Sequence, residues 1–330
     1  MTTIHDIASK ANVSKSTVSR VLNHHPYVSQ ENRQRVLEVI EELNYVPNSI
    51  ARSFRLMKNK TIAVIIPNLY HSFFSLLASG ISKELRTQGY KTMISESFYN
   101  AENEKAILEM LKFKEIEGVI LCSIENDWEL IEEYVHYGPL VLCNEFHEEA
   151  TIPVICYDER GATTEGLNHL LNQGHTRIGF CYDVSNSPLQ QKRRESYEQT
   201  LHQDFQEAKK WIYPGCFTIK DGMNVVKQLI NQPQSDRPTA LFTGSDYVAA
   251  GVIKELKQRG FDVPRDFAVM GYDDHQICLA THPTISTIHI PIDQLGVYTA
   301  KTLMKILYEG TPLEGEVKTF EGQLIMRGST

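Results

Sequence analysis

No run of 18 or more apolar residues occurs in the 330-residue sequence, so no membrane-spanning helix is expected. The opening Met1-Thr2-Thr3 leads directly into helical periodicity without an apolar secretory stretch, and a cytoplasmic protein is expected. The six cysteines, at positions 122, 143, 156, 181, 216 and 278, form no Cys-x-x-Cys pair. Several sit inside apolar strand-like runs, which predicts buried reduced thiols rather than disulfides or metal ligands. No metal-spaced His/Cys cluster appears, and no Gly-x-Gly-x-x-Gly follows the first apolar strand. The serines have no nucleophile-elbow context. An enzyme is therefore not expected, and neither a cofactor nor a metal is predicted.

What the chain does have is an uneven charge. The net charge of −8 argues against a nucleic-acid binder until it is divided. Residues 1–60 hold nine Lys/Arg against five Asp/Glu, a surplus of +4, and the remainder holds 24 against 36, or −12. Positive charge is thus confined to the N-terminal module, and phosphate should repel the acidic body. An acidic body also keeps a protein soluble, and both effects can hold together.

That module opens with two short helical patterns, Ile4–Ala11 and Ser14–Leu22, joined at Asn12-Val13. Ile7, Ala8, Ala11, Val13, Val18, Val21 and Leu22 can close into one small core. The remaining face of the second helix carries Lys15, Ser16, Thr17, Ser19 and Arg20, with no carboxylate. Such a face suits phosphates and base edges, and the pattern is a helix-turn-helix with its recognition helix at 14–22. A surface hairpin of no particular function would share the shape. Ser29 is placed to cap a third helix to about Leu43, with Val36, Val39, Ile40 and Leu43 at helical spacing. Pro47 then ends the segment, and Asn48 can cap a further turn. A helix of about seven residues there is too short to stand alone in water, so 48–55 is expected to order only against a partner.

From Thr61 onward, short apolar runs alternate with amphipathic helices, which implies parallel sheets with helices on both faces. Two such runs, meeting near Tyr157–Gly161, suggest two doubly wound lobes. Ligands of such sheets sit off the carboxyl ends of the strands. Polar and aromatic residues follow those ends: Tyr70, His71, Phe73 and Phe74 after the first strand, then Ser123 and Asn144, and in the second lobe Ser245, Asp273 and Asp274. A polyol needs groups that both donate and accept, plus apolar faces for ring carbons. Asn144, Arg193, Ser245 and Asp273 can supply the first; Tyr70, Phe73, Phe74 and Phe217 the second. Plainer roles compete: Asp246 as a helix N-cap, Asp274 as a turn former, Phe74 and Leu77 as lobe core, Tyr272 as packing, and Lys192-Arg193-Arg194 as a solvated helix face.

The string Val13-Ser14-x-x-Thr17-Val18-Ser19-Arg20-Val21-Leu22-Asn23, then Val28-Ser29 and Leu43-Asn44-Tyr45-x-Pro47-Asn48-x-x-Ala51-Arg52, resembles the lac-repressor (LacI/GalR) family of bacterial transcription regulators. Gly161-Ala162, Gly174-His175, Ser245-Asp246-x-x-Ala249-x-Gly251, Gly271-Tyr272-Asp273-Asp274, Pro283-x-Ile285-x-Thr287-Ile288 and Arg327-x-Ser329-Thr330 follow in that family's order. The resemblance implies an α/β architecture: an all-α helix-turn-helix headpiece at 1–46, a hinge helix and linker at 47–60, and a periplasmic-binding-protein-like body at 61–330. Lobe 1 would comprise about 61–158 and 290–318, lobe 2 about 159–289 and 319–330, with three crossings between them.

By the same resemblance, Lys15, Ser16 and Arg20 read bases, while Ser14, Thr17, Ser19, Asn23, Ser29 and Tyr45 belong to the DNA surface. Asn48, Ala51 and Phe54 would enter the minor groove, Phe54 standing where the family usually has leucine. Arg193 and Asp273 fall at the main sugar-hydroxyl positions and Phe217 at the ring-stacking one. Ser245, Asn144, Ile290 and Ser196 depart from the residues common there. The implied partners are pseudo-palindromic operator DNA, a second copy of the chain, and a small sugar or sugar-phosphate effector. The function implied is an effector-controlled repressor of carbohydrate uptake or catabolism genes. The alternative is control by a phosphocarrier corepressor of the sugar phosphotransferase system. No leucine heptad follows Thr330, so no tetramer-forming tail is expected.

Overall fold

A computed structural model describes residues 3–22, 25–45, 59–183, 187–201, 208–310 and 315–330. The chain divides into two compact units, Met1–Asn59 and Lys60–Thr330. The hinge positions of the sequence reading, Asn48, Ala51 and Phe54, lie outside the described residues, as does Asn23.

The first unit carries α1 (Ile4–Lys10), α2 (Lys15–Leu22) and α3 (Gln30–Glu42). A reciprocal pair of bonds between Thr3 and Asp6 starts α1, satisfying two donors the helix cannot pair itself. The α1–α2 turn is tight because Asn12 takes a left-handed φ of 51°. That places the Val13 N–H on the Ala8 carbonyl at 3.0 Å, closing the helix end as a left-handed cap should. Asn44 repeats the device after α3, with φ 46° and the Tyr45 N–H on Ile40 at 2.9 Å. Ile7, Ala8, Ala11, Val18, Val21, Val36 and Val39 form the buried core. Val13, Leu22, Ile40, Leu43 and Tyr45 pack around it, half-exposed.

The second unit contains two six-stranded sheets. In lobe 1, β1 (Thr61–Ile66), β2 (Lys91–Glu96), β3 (Gly118–Leu121), β4 (Leu140–Cys143), β5 (Val154–Tyr157) and β11 (Val317–Phe320) lie in the order β2-β1-β3-β4-β5-β11, all parallel. Lobe 2 repeats the pattern with β6 (Ile178–Tyr182), β7 (Ile212–Pro214), β8 (Ala240–Thr243), β9 (Ala268–Asp273), β10 (Ser286–His289) and β12 (Gln323–Ile325), ordered β7-β6-β8-β9-β10-β12. There β12 alone runs antiparallel. Burial on both faces explains the unbroken apolar runs. Along β1, Ile62, Val64 and Ile66 enter one core while Ala63 and Ile65 enter another.

The helices are α4 (Ser72–Thr87), α5 (Ala101–Lys112), α6 (Trp128–Tyr134), α7 (Glu159–Asn172), α8 (Pro188–Thr200), α9 (Ile219–Leu229), α10 (Asp246–Gln258), α11 (Ile277–Ala280) and α12 (Ile292–Glu309). The chain passes between lobes after β5, after β10 and after β11, since α12 packs back on α4 and β12 pairs with β10. No helix among the described residues is long and apolar enough to cross a membrane. The six cysteines are buried and free.

The strand order reverses between β1 and β3 in lobe 1 and between β6 and β8 in lobe 2. At such a point adjacent connections leave on opposite faces and open a crevice. The two crevices face each other.

Candidate functional site

A cavity of about 480 Å³ lies between the lobes, and its walls are the carboxyl ends of the strands. Pro67, Tyr99, Ser123, Glu125, Asn144, Glu145 and Tyr157 come from lobe 1; Asp183, Phe217, Gly244 and Asp273 from lobe 2. Helix starts add His71, Phe73 and Phe74 on one side and Glu159, Ser187, Gln190 and Arg193 on the other. A larger trough of about 650 Å³ runs along α7 past Asp158, Thr164, Asn168 and Leu324. It is a solvent-open surface groove away from the strand ends.

Arg193 is buried at the centre. Its Nε donates to Glu159, its Nη1 to the Gly244 carbonyl at 2.9 Å, and its Nη2 to the Tyr157 hydroxyl at 3.2 Å. The guanidinium lies 3.9 Å from the Tyr272 ring centroid. Burial alone would disfavour its charge, but Glu159 and the flanking phenols outweigh that and keep it cationic. Asp273, with φ 93°, ends β9 beside His275, its Oδ2 3.4 Å from Nε2. Burial pushes the Asp273 carboxyl up, and the hydrogen bond and charge of His275, with the charge of Arg193, more than reverse it. His71 is pushed down by burial, leaving a neutral imidazole whose Nδ1 has no partner among the described residues. Its ring meets Phe74 and Phe217 edge-on. Tyr99 and Asn144 also hold left-handed φ values, 56° and 59°. Such conformations gather where a ligand site over-determines the backbone.

Acidic groups crowd the lobe 1 side. Glu125 accepts from Ser97 Oγ at 2.9 Å and Glu145 Oε1 from Ser187 Oγ at 2.8 Å, the latter across the cleft. Glu145 Oε2 and Asn144 Oδ1 are buried without a partner among the described residues. Burial, together with the charge of Glu125, pushes the Glu145 carboxyl up to about 8 despite the Ser187 bond. The Tyr99 phenol is pushed up to about 12 by burial and by the charges of Asp183, Glu125 and Glu145. A carboxyl raised from 4.5 to about 8 holds its proton more tightly folded than unfolded, so its contribution to stability falls as pH rises through that interval. Glu145→Gln should therefore be nearly neutral at about pH 5 and stabilising by roughly 1–3 kcal/mol near pH 9. Melting temperatures of both proteins across that range check it; a pH-independent difference would show that Glu145 titrates normally.

His71, Phe73, Ser123, Asn144, Arg193, Phe217 and Asp273, all singled out from sequence, line this cavity. Two others do not. Tyr70 is 85% exposed, because Asn68 Oδ1 accepts the His71 N–H and Glu96 accepts the Leu69 N–H, a turn that sends Tyr70 outward. Ser245 spends its hydroxyl capping α10, accepting the Tyr247 N–H at 3.2 Å. The cap expected of Asp246 is thus Ser245's. Asp246 instead turns inward, taking the His275 N–H at 2.7 Å and the Thr287 hydroxyl at 2.6 Å. Asp274 does more than turn the chain: it holds Arg327 at 2.7 Å and His289 at 3.1 Å. Phe74 lines the cavity, whereas Leu77 and Tyr272 are wholly buried. Missed from sequence were Tyr99, Glu125, Glu145, Tyr157, Glu159 and Asp183. The strand-end rule reaches Glu125 and Glu145 once it is followed one or two residues further.

In the first unit, α2 presents Lys15, Ser16 and Arg20 exposed, with Thr17 and Ser19 half-exposed and no acidic residue along it. Ser14 is exposed as well, but its Oγ accepts the Thr17 N–H at 3.1 Å and also bonds Ser16 and Thr17 Oγ1, so it caps α2. Ser29 is exposed and caps α3 through Asn32.

Residues 3–48 match the family of bacterial regulatory proteins described as the lacI family. Residues 59–319 match periplasmic binding proteins and the sugar binding domain of the LacI family. The NTD biosynthesis operon regulator NtdR of Bacillus subtilis (strain 168) is 43% identical, covering 100% of both chains. The HTH-type transcriptional repressor CytR of Escherichia coli (strain K12) is 32% identical over 99% of this chain and 96% of its own. A lac repressor dimer bound to operator and an anti-inducer matches in fold with a TM-score of 0.84, at 23% identity, over 99% of this chain and 98% of that one.

Proposed function

The chain belongs to the LacI family of bacterial regulatory proteins, and from that premise we propose how this DNA-binding transcriptional repressor is controlled. It represses genes of carbohydrate uptake or catabolism in the cytoplasm, and a small sugar-like effector held between the lobes sets its affinity for operator. The observation that carries this reading is the 480 Å³ cavity walled by both lobes. A ligand there contacts two bodies at once, so it favours whichever lobe arrangement completes its contacts, and that differential affinity is what shifts an equilibrium. A phosphocarrier corepressor would need no such cavity.

One headpiece buries only about 600–1,000 Å² on DNA, so two copies related by a two-fold axis bind a pseudo-palindromic site. Lys15, Ser16 and Arg20 read bases, Ser14, Thr17, Ser19, Ser29 and Tyr45 steady the backbone, and Asn48, Ala51 and Phe54 of both protomers reach the minor groove. The absence of any carboxylate along α2 supports this division. Arg20→Ala is expected to cost about 1–3 kcal/mol of operator binding and to relax one base position in each half-site. A binding-site selection with wild type and variant tests it, and an unchanged sequence preference would overturn it. Titrating the operator complex with sugars, and separately with phosphorylated carrier protein, tests the mode of control.

A further inference from the structure

We propose that the cleft takes an amino sugar, with a protonated amine seated among Glu125, Glu145 and Asp183 and the hydroxyl-bearing ring held toward Arg193, Asp273 and Asn144. This rests on the sugar-effector reading and narrows it.

The cavity wall carries five carboxylates: Glu125, Glu145, Glu159, Asp183 and Asp273. Against them the described lining offers Arg193 and a His71 kept neutral by burial. Arg193 is already engaged with Glu159, Gly244 and Tyr157. Asp273 has His275 beside it. Among the described residues, Glu125 and Glu145 have only serine hydroxyls as side-chain donors. Glu145, 5% exposed, keeps Oε2 without a partner among the described residues, and neighbouring Asn144 does the same with Oδ1. Buried carboxylates left so are costly, and a charge-assisted donor from the ligand removes the cost.

The geometry also selects the kind of cation. Among the described residues no group of three or more acidic, His or Cys side chains is close enough to hold a metal ion. An ammonium carried on a carbon ring tolerates wider spacing, and Tyr99, Phe74 and Phe217 line the same space with rings. A sugar phosphate meets repulsion from every side but Arg193. Because Glu145 and Glu125 belong to lobe 1 and Asp183 to lobe 2, an ammonium between them draws the lobes together. Without one, Glu125 and Asp183 repel across the cleft and Glu145 keeps its proton.

Full-length protein would be titrated calorimetrically with glucose, 2-amino-, 3-amino- and 6-amino-deoxyglucose, N-acetylglucosamine and glucose 6-phosphate. At least one free amine is expected to bind about 10-fold or more tighter than glucose, with N-acetylglucosamine losing that gain. Glu145→Gln and Glu125→Gln should each erase most of the amine preference. Glutamine mimics a protonated carboxyl, so full retention of the preference in Glu145→Gln would mean a neutral acceptor suffices, and the proposal falls. It falls alone if glucose or glucose 6-phosphate binds as tightly as every amine. If nothing on the panel binds, the sugar-effector reading falls with it.

Discussion

Arg193→Met is expected to destabilise the body by about 3–5 kcal/mol and to abolish effector binding. The loss comes less from the arginine than from what it leaves. The Glu159 side chain is 1% exposed, and methionine strands it as an unpaired buried charge. The Gly244 carbonyl and the Tyr157 hydroxyl lose a donor at the same stroke. In a body of this size the cost corresponds to roughly 10 °C in melting temperature. The double variant Arg193→Met, Glu159→Leu separates two explanations. With both ions gone most of the stability should return, while ligand binding should not, because the donors facing the cleft are still missing. A single variant that melts within 2 °C or so of wild type would show that the pair carries no such burden.

Gly251→Ala should be nearly as damaging, about 3 kcal/mol, at the upper end of what overpacking costs. Helices α9 and α10 meet backbone to backbone. A Cβ on Gly251 would sit 2.0 Å from the Ile219 carbonyl oxygen, and one on Gly222 would sit 2.1 Å from that of Val248. No rotamer relieves a clash with a peptide oxygen, so the helices must separate. Around the contact Val225, Val226, Leu229, Val248 and Val252 are buried, and parting the helices loosens all of them. The N-terminus of α10 holds Asp246 on His275 and Thr287, so the displacement also reaches the residues beside Asp273. Chemical denaturation measures the first effect and effector titration the second. A midpoint shift worth less than about 0.5 kcal/mol would show that the helix pair yields.

Much of this was legible before any coordinates. Helical spacing marked the headpiece core, because Ile7, Val18, Val36 and their neighbours recur at the period of a helix and bury nowhere else. The unbroken apolar runs of β1 and β8 read as strands because both sheet faces are covered. The strands β7 and β10 escaped, β7 because three residues ending in proline carry no period and β10 because Ser286 and His289 interrupt its apolar run. Asp246 shows the limit at a single residue. Sequence places an acid at a helix start, where capping is the local expectation. Only the fold brings the His275 amide and Thr287 within reach, 29 and 41 residues away along the chain.

What the sequence determined alone is whatever follows from period and local order: two modules, a recognition face without acids, and alternating strands and helices. Which side chains share the cleft was decided by the tertiary structure. Strand order and lobe apposition set Glu125, Glu145 and Asp183 against one cavity, though dozens of residues separate the lobe 1 pair from Asp183 along the chain. Long-range juxtaposition of charge has no local signature, because each carboxylate alone looks like any solvated surface acid until the fold removes its water.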